Sequence, residues 1–221
     1  IPIQAGAELI GSSNVKNDAE LVILMLDTVK KFTSKKIFLD LGHIGIFKKL
    51  IKSANLENEQ EKNIKNLVKS KSSSEIKKYL RSVDAEDSFK ECISNFPKMH
   101  GPIESITRDL NQLKFLSSDV ENDINYMINL CALVRDKHSD IEIKYDFCEL
   151  QGFDYENDII FSAYIEGVTE EVALGGKYNC DENNIFGIGF SVDVRYLLKN
   201  QPIEKSLVNK SGKWVIEESN E

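Results

Sequence analysis

The chain has 221 residues, 41% of them hydrophobic and 29% charged, with a formal net charge of −8. That length and apolar content suit one or two globular domains with a real core. The acidic balance argues against a nucleic-acid surface, which rests on clustered Lys and Arg, and no long apolar run or leader argues for a membrane span or a secretion signal. Cys92, Cys131, Cys148 and Cys180 lie far apart without C-x-x-C spacing. They fit neither zinc nor a disulfide framework, and a reducing cytoplasm is expected.

The opening run, Ile1 to Gly11, reads as a strand already inside a fold, with no initiator methionine before it. Gln4, Gly6 and Glu8 fall on alternate positions and share one face. On the residues alone that face is polar and open to water. Asn17 to Phe32 reads as a helix, capped by Asn17 or Asp18, with Lys30 and Lys31 at its negative end and Leu21, Met25, Val29 and Phe32 as a packing stripe. Ile37 to Leu41 is a short buried strand, followed by Gly42-His43-Ile44-Gly45 and a helix through Phe47, Leu50 and Ile51. His43 is either a polar handle at a sheet end or, more commonly for such a residue, a helix cap. It lacks Asp or His partners at metal-like spacing, so no zinc site is expected.

From Ala54 to Asp140 Lys, Glu, Asn and Ser dominate, and apolar residues recur at helical intervals. Several helices are predicted, with breaks near Ser70 to Ser74, Ser82 to Asp84, Asn95 to Pro102 and Ser117 to Asp119. The lysines from Lys62 to Lys71 have Glu57, Glu59, Glu61 and Glu75 around them and no aromatic residues to stack bases. They read as a solvated helix face. His100-Gly101-Pro102 reads as a turn, Val120 to Lys137 as a strong amphipathic helix, and Ile141 to Phe147 as an alternating strand.

Between Tyr145 and Leu198, three β-rich runs (Ile159 to Ile165, Val168 to Leu174, Ile185 to Gly189) alternate with turn signals. This pattern predicts consecutive antiparallel strands and then a helix. Polar and acidic residues stand where these strands end, as they do in a ligand pocket on an open sheet. Gly175-Gly176 permits a tight turn or the close approach of a ligand. Gly187-Ile188-Gly189 lacks a third glycine, so no dinucleotide cofactor is expected. Gly152 to Glu156 reads as a turn in which Asp154 bonds its own backbone. Ser206 to Asn209 and Lys213 to Ile216 form a predicted hairpin across Lys210-Ser211-Gly212.

Three stretches, in order, resemble the histidine-recognition strands and third motif of the class II histidyl-tRNA synthetase family. They are Gln151-Gly152-Phe153-Asp154-Tyr155-Glu156, Leu174-Gly175-Gly176-Lys177-Tyr178-Asn179, and the run from Gly189 to Tyr196. The frame is kept, but Gln151 and Tyr196 stand where the synthetases carry arginines that serve the reacting carboxylate and ATP. A neutral side chain cannot replace a planar cation there. Arg195 is one residue off register, which on a helix turns it roughly 100° away. Gly189 to Leu198 and Leu39-Asp40-Leu41-Gly42-His43-Ile44-Gly45 look more like the regulatory-subunit branch of the family, which serves short-form ATP phosphoribosyltransferases.

The resemblance implies an α+β fold: a class II synthetase-like antiparallel sheet flanked by helices, formed by residues 1–53 and 141–221, with 54–140 as a helical insertion. It implies a fragment or shortened form, starting within the second motif and carrying no anticodon-binding domain. It implies a non-catalytic subunit that joins ATP phosphoribosyltransferase catalytic chains, is itself dimeric within that assembly, and carries histidine feedback without a metal or cofactor. By the same resemblance, Gln4, Glu8, Asp154 and Tyr155 form a histidine-sized pocket, with Gly175, Gly176 and Tyr178 as its turn. The alternatives are an enzyme forming histidyl-adenylate and a tRNA-binding paralogue.

Overall fold

The computed structural model describes residues 3–11, 14–113, 118–150, 156–180, 185–199, 205–210 and 213–218. Seven strands form one sheet: β1 (Gln4–Ile10), β2 (Ile37–His43), β3 (His100–Pro102), β4 (Glu142–Asp146), β5 (Glu156–Ile165), β6 (Ala173–Asn179) and β7 (Phe186–Asp193). Their spatial order is β1-β7-β6-β5-β2-β4-β3. Among the described residues eight α-helices accompany them: α1 (Val15–Lys30), α2 (Ile44–Ser53), α3 (Asn58–Lys69), α4 (Ser73–Tyr79), α5 (Asp87–Asn95), α6 (Ile106–Leu113), α7 (Ser118–Lys137) and α8 (Val194–Lys199). Two further strands, β8 (Lys205–Lys210) and β9 (Lys213–Glu218), pair antiparallel as the expected hairpin. The α+β class is as expected. No helix of the described residues is long and apolar enough to cross a membrane.

Pairing is antiparallel except between β2 and β4, which run parallel. The expected antiparallel sheet carries this one parallel pair because α2 to α7 form a crossover long enough to return the chain in the same direction. Helix α1 packs on β7 and on α7, and α2 packs on β5 and α7. Leu21, Val22, Met25, Leu26 and Val29 of α1, Phe47 and Leu50 of α2, and Ile124, Met127 and Val134 of α7 are all buried in the core behind the sheet.

Local chemistry explains where the observed elements depart from the pattern. The α1 cap is Asn14, whose Oδ1 accepts the Lys16 and Asn17 N–H groups at 3.0 Å each. Asp18 is thereby left one turn inside the helix. His100–Pro102 is a short edge strand on β4 and not a turn, a position where a missing proline N–H is tolerated. Strand β6 begins at Ala173, because Gly167 turns with φ +81° and the polar run Thr169-Glu170-Glu171 breaks the alternation. Strand β7 runs on past Gly189 to Asp193, and the last helix starts at Val194. Asp193 Oδ1 accepts the Arg195 and Tyr196 N–H groups at 2.9 and 3.2 Å and sets that start.

Gly175 and Gly176 lie in the interior of β6, which corrects the expected pocket turn. A Cβ on Gly175 would sit 2.2 Å from the Gly189 carbonyl oxygen and 2.6 Å from the Phe161 ring. Phe161 therefore occupies the space that a side chain at 175 would need. Gly175→Ala is expected to lower unfolding stability by about 1–3 kcal/mol, read as a reduced urea midpoint with an unchanged slope.

Candidate functional site

Strand alternation gives the sheet two chemically different faces. The rear face carries Leu9, Ile188, Phe190, Phe161, Leu41 and Leu39 toward the helices. On the front face one register row runs Glu8, Gly189, Gly176, Ile160, Gly42, and the next runs Gly6, Ser191, Leu174, Ser162, Asp40. Glycine and serine make much of this floor. Its backbone is open to an approaching ligand in a way that a Val- or Ile-lined face is not.

Glu8 stands directly over Gly189, where an added Cβ would lie 2.9 Å from the Glu8 Cγ. The Tyr178 ring covers Gly187 in the same manner, with Cζ 2.8 Å from the position of such a Cβ. The Tyr178 phenol donates to the Glu8 carboxylate. Burial first, then the Glu8 charge and this hydrogen bond, raise the phenol's pKa. The fold thus brings Glu8, Tyr178 and Gly176 together. Gln4 lies on the same face but opposite Asp193, roughly 13 Å along the strand from Glu8 at ordinary rise. Gly175 belongs to the rear face as a packing glycine. Asp154 and Tyr155, like Gln151, lie outside the described residues. A carboxylate and a phenol above a glycine floor can accept an N–H or ammonium donor.

The rear face holds a charge cluster that the sequence reading missed. Asp18 is 0% exposed and Lys177 7% exposed, and the Lys177 Nζ donates to Asp18 Oδ2 at 2.8 Å. The Tyr126 hydroxyl donates to the same oxygen at 2.5 Å, and Lys177 lies 5.3 Å from the centroid of the Tyr126 ring. His43 starts α2 without capping it. Its Nε2 lies 3.1 Å from Asp158 Oδ1, while Asp123 receives Lys49 at 2.5 Å. Burial pushes the Asp158 carboxyl up, but its hydrogen bond to His43 and the nearby positive charge of His43 and Lys177 outweigh this and hold it below 3.8. Among the described residues His43 Nδ1 is buried without a hydrogen-bond partner.

Two signals mark this cluster in the sequence. Asp18 falls on the helical stripe of Val22, Met25 and Val29, and Lys177 falls on the apolar phase of β6 after Ala173 and Gly175. Each is a charge in an apolar phase. Their partnership required the tertiary fold, since 159 positions separate them.

The family model described as histidyl-tRNA synthetase matches residues 1–197. The ATP phosphoribosyltransferase regulatory subunit of Methylococcus capsulatus is 30% identical over 212 residues, covering 94% of this chain and 52% of that protein. The structure of an ATP phosphoribosyltransferase regulatory subunit/histidyl-tRNA synthetase from Bacillus halodurans superposes with a TM-score of 0.78 at 17% identity, covering 90% of this chain and 53% of that one. The ATP phosphoribosyl transferase (HisG:HisZ) complex from Thermotoga maritima gives 0.69 at 18% identity, with coverages of 86% and 65%. These two likenesses bear on the fold. The chain spans about half the length of the curated relatives it matches.

Lys177→Met removes the ammonium from a buried Asp18 that keeps its Tyr126 hydrogen bond, so it is expected to cost about 3–5 kcal/mol, whereas Lys177→Met combined with Asp18→Leu recovers most of that loss. Urea unfolding of the two variants checks this. The depressed folded-state pKa of Asp158 contributes stability that is complete above about 3.8 and is lost as pH falls through the folded value. Asp158→Asn is expected to remove that part of the acid dependence, measured by thermal melts between pH 2 and 7.

Proposed function

The chain belongs to the histidyl-tRNA synthetase family, and from that membership we propose that it forms part of an ATP phosphoribosyltransferase regulatory subunit and not of an aminoacylating enzyme. The observation that carries the reading is the third motif. The site-facing frame of Glu8, Gly189 and Gly176 is kept, while position 196 holds a tyrosine packed against the core. Arg195 beside it is exposed. Both facts agree with the loss of an ATP-stacking cation at this helix. The name carried by the Methylococcus capsulatus protein, and the assembly named in the Thermotoga maritima structure, support the same choice.

In this reading the complete protein joins catalytic phosphoribosyltransferase chains, has no catalytic step of its own, and carries histidine feedback. Histidine lies on the front face, its donor groups shared among Glu8, Tyr178 and Gln4. Feedback requires that histidine bind two states of the assembly with different affinity, since equal binding shifts nothing. The Glu8–Tyr178 hydrogen bond is a contact that an incoming N–H donor would rearrange.

The test is phosphoribosyl transfer from phosphoribosyl pyrophosphate to ATP by a short-form catalytic subunit, with and without the full-length protein, across a histidine titration. Activity is expected only in the mixture, falling as histidine rises. Glu8→Ala is expected to raise the histidine concentration needed for half-inhibition by roughly 10–100-fold, the scale of one charge-assisted hydrogen bond. An unchanged rate with no complex on a sizing column overturns the proposal. ATP-dependent histidyl-adenylate formation by the complete protein would put the synthetase reading in its place.

A further inference from the structure

A cavity of about 270 Å³ opens on the front face two strands away from Glu8, walled by Asp40 and Gly42 of β2, Asp146 and Glu149 at the end of β4, Ile160, Ser162 and Tyr164 of β5, and Leu174 of β6. We propose that this cavity is a second binding site, for a small organic cation: a primary ammonium on a short apolar stem. The proposal is independent of the regulatory reading. It rests on the cavity, its mixed lining and one half-buried carboxylate that no donor of the described residues reaches.

That carboxylate is Asp40, at the centre of the floor between Ser162 and Lys144 in register. The lysines near it are engaged elsewhere. Lys71 bonds Asp146. The Lys144 Nζ lies 3.2 Å from Glu142 Oε1 and 5.0 Å from the centroid of the Phe38 ring. Among the described residues Asp40 has neither a hydrogen bond nor an ion pair. A carboxylate partly withdrawn from water without a donor is costly, and a ligand ammonium supplies up to three donors.

The rest of the lining decides which cation. No group of three or more His, Cys, Asp or Glu side chains among the described residues has metal-holding geometry, so the three carboxylates are spread around the cavity and do not converge on one point. Ile160, Leu174 and the Tyr164 ring supply apolar wall for a stem, which a bare inorganic cation does not use. The volume lies just under the roughly 300–1,000 Å³ of sites for drug-sized molecules, which limits the guest to a small metabolite.

Burial raises the Asp40 pKa above 3.8, with Asp146 and Glu149 adding to the rise and Lys144 and Lys71 opposing it. The cation binds the ionised form, so affinity is expected to fall as pH drops through that raised value.

The test is calorimetric titration of the full chain with n-butylammonium and, in parallel, with uncharged 1-butanol. The amine is expected to bind at millimolar concentration and the alcohol to give no saturable heat. Asp40→Asn is expected to weaken the amine at least about tenfold, while Glu8→Gln leaves it unchanged. Leu174→Trp, which fills the cavity from its solvent side, provides a second loss-of-binding variant that keeps every charge. Equal binding of amine and alcohol, full affinity in Asp40→Asn, equal loss in Glu8→Gln, or no amine binding at all overturns the proposal.

Discussion

The contact between Lys177 and Asp18 fixes more than its own two side chains. Strand β6 alternates, so holding Lys177 inward against α1 forces Tyr178 outward, over Gly187 and onto Glu8. A slip of one residue would place an ammonium on the front face and a phenol in the core. The buried pair adds little net stability in itself, because desolvation offsets attraction. Its consequence is register, and register determines what the front face presents.

Much of the fold was legible because it obeys single-element periodicity. The stripe of Leu21, Met25 and Val29 gave α1, and Val120 to Val134 gave α7, because both helices bury one face against a common core. The breaks within 54–140 followed from Ser, Asn and Pro clusters that stop helices locally. Failures occurred where a neighbouring element overrode the local signal. Gly175-Gly176 has the composition of a turn, yet Phe161 supplies the bulk those glycines lack and the pair continues a strand. His100-Gly101-Pro102 also looks like a turn, and becomes a strand because β4 offers it an edge.

The site was legible in part for the same reason. Glu8 and its shared face with Gln4 follow from period two, and Tyr178 from its place in a motif. The meeting of Glu8 with Tyr178 needs β7 between them, and β7 contributes only glycines there, which announce no contact in sequence. The cavity at Asp40 was harder still. Asp40 sits between two buried leucines and alternates correctly, so nothing local marks it. Its neighbours Asp146, Glu149 and Tyr164 arrive from strands far along the chain.

The parallel pairing of β2 with β4 has a temporal consequence. Leu39 meets Ile143 roughly a hundred positions later in the chain, and such a contact repays its loop entropy only after much of the intervening chain has ordered. The hairpin-like contacts among β5, β6 and β7 face no such delay. The part of the front face bearing Tyr178 and Gly189 is therefore assembled from near neighbours, whereas the Asp40 cavity, walled by β2 on one side and the end of β4 on the other, closes only with contacts about a hundred positions apart, and Glu8 reaches Gly189 across a longer loop still. An occupant of that cavity would bind the completed fold and nothing earlier.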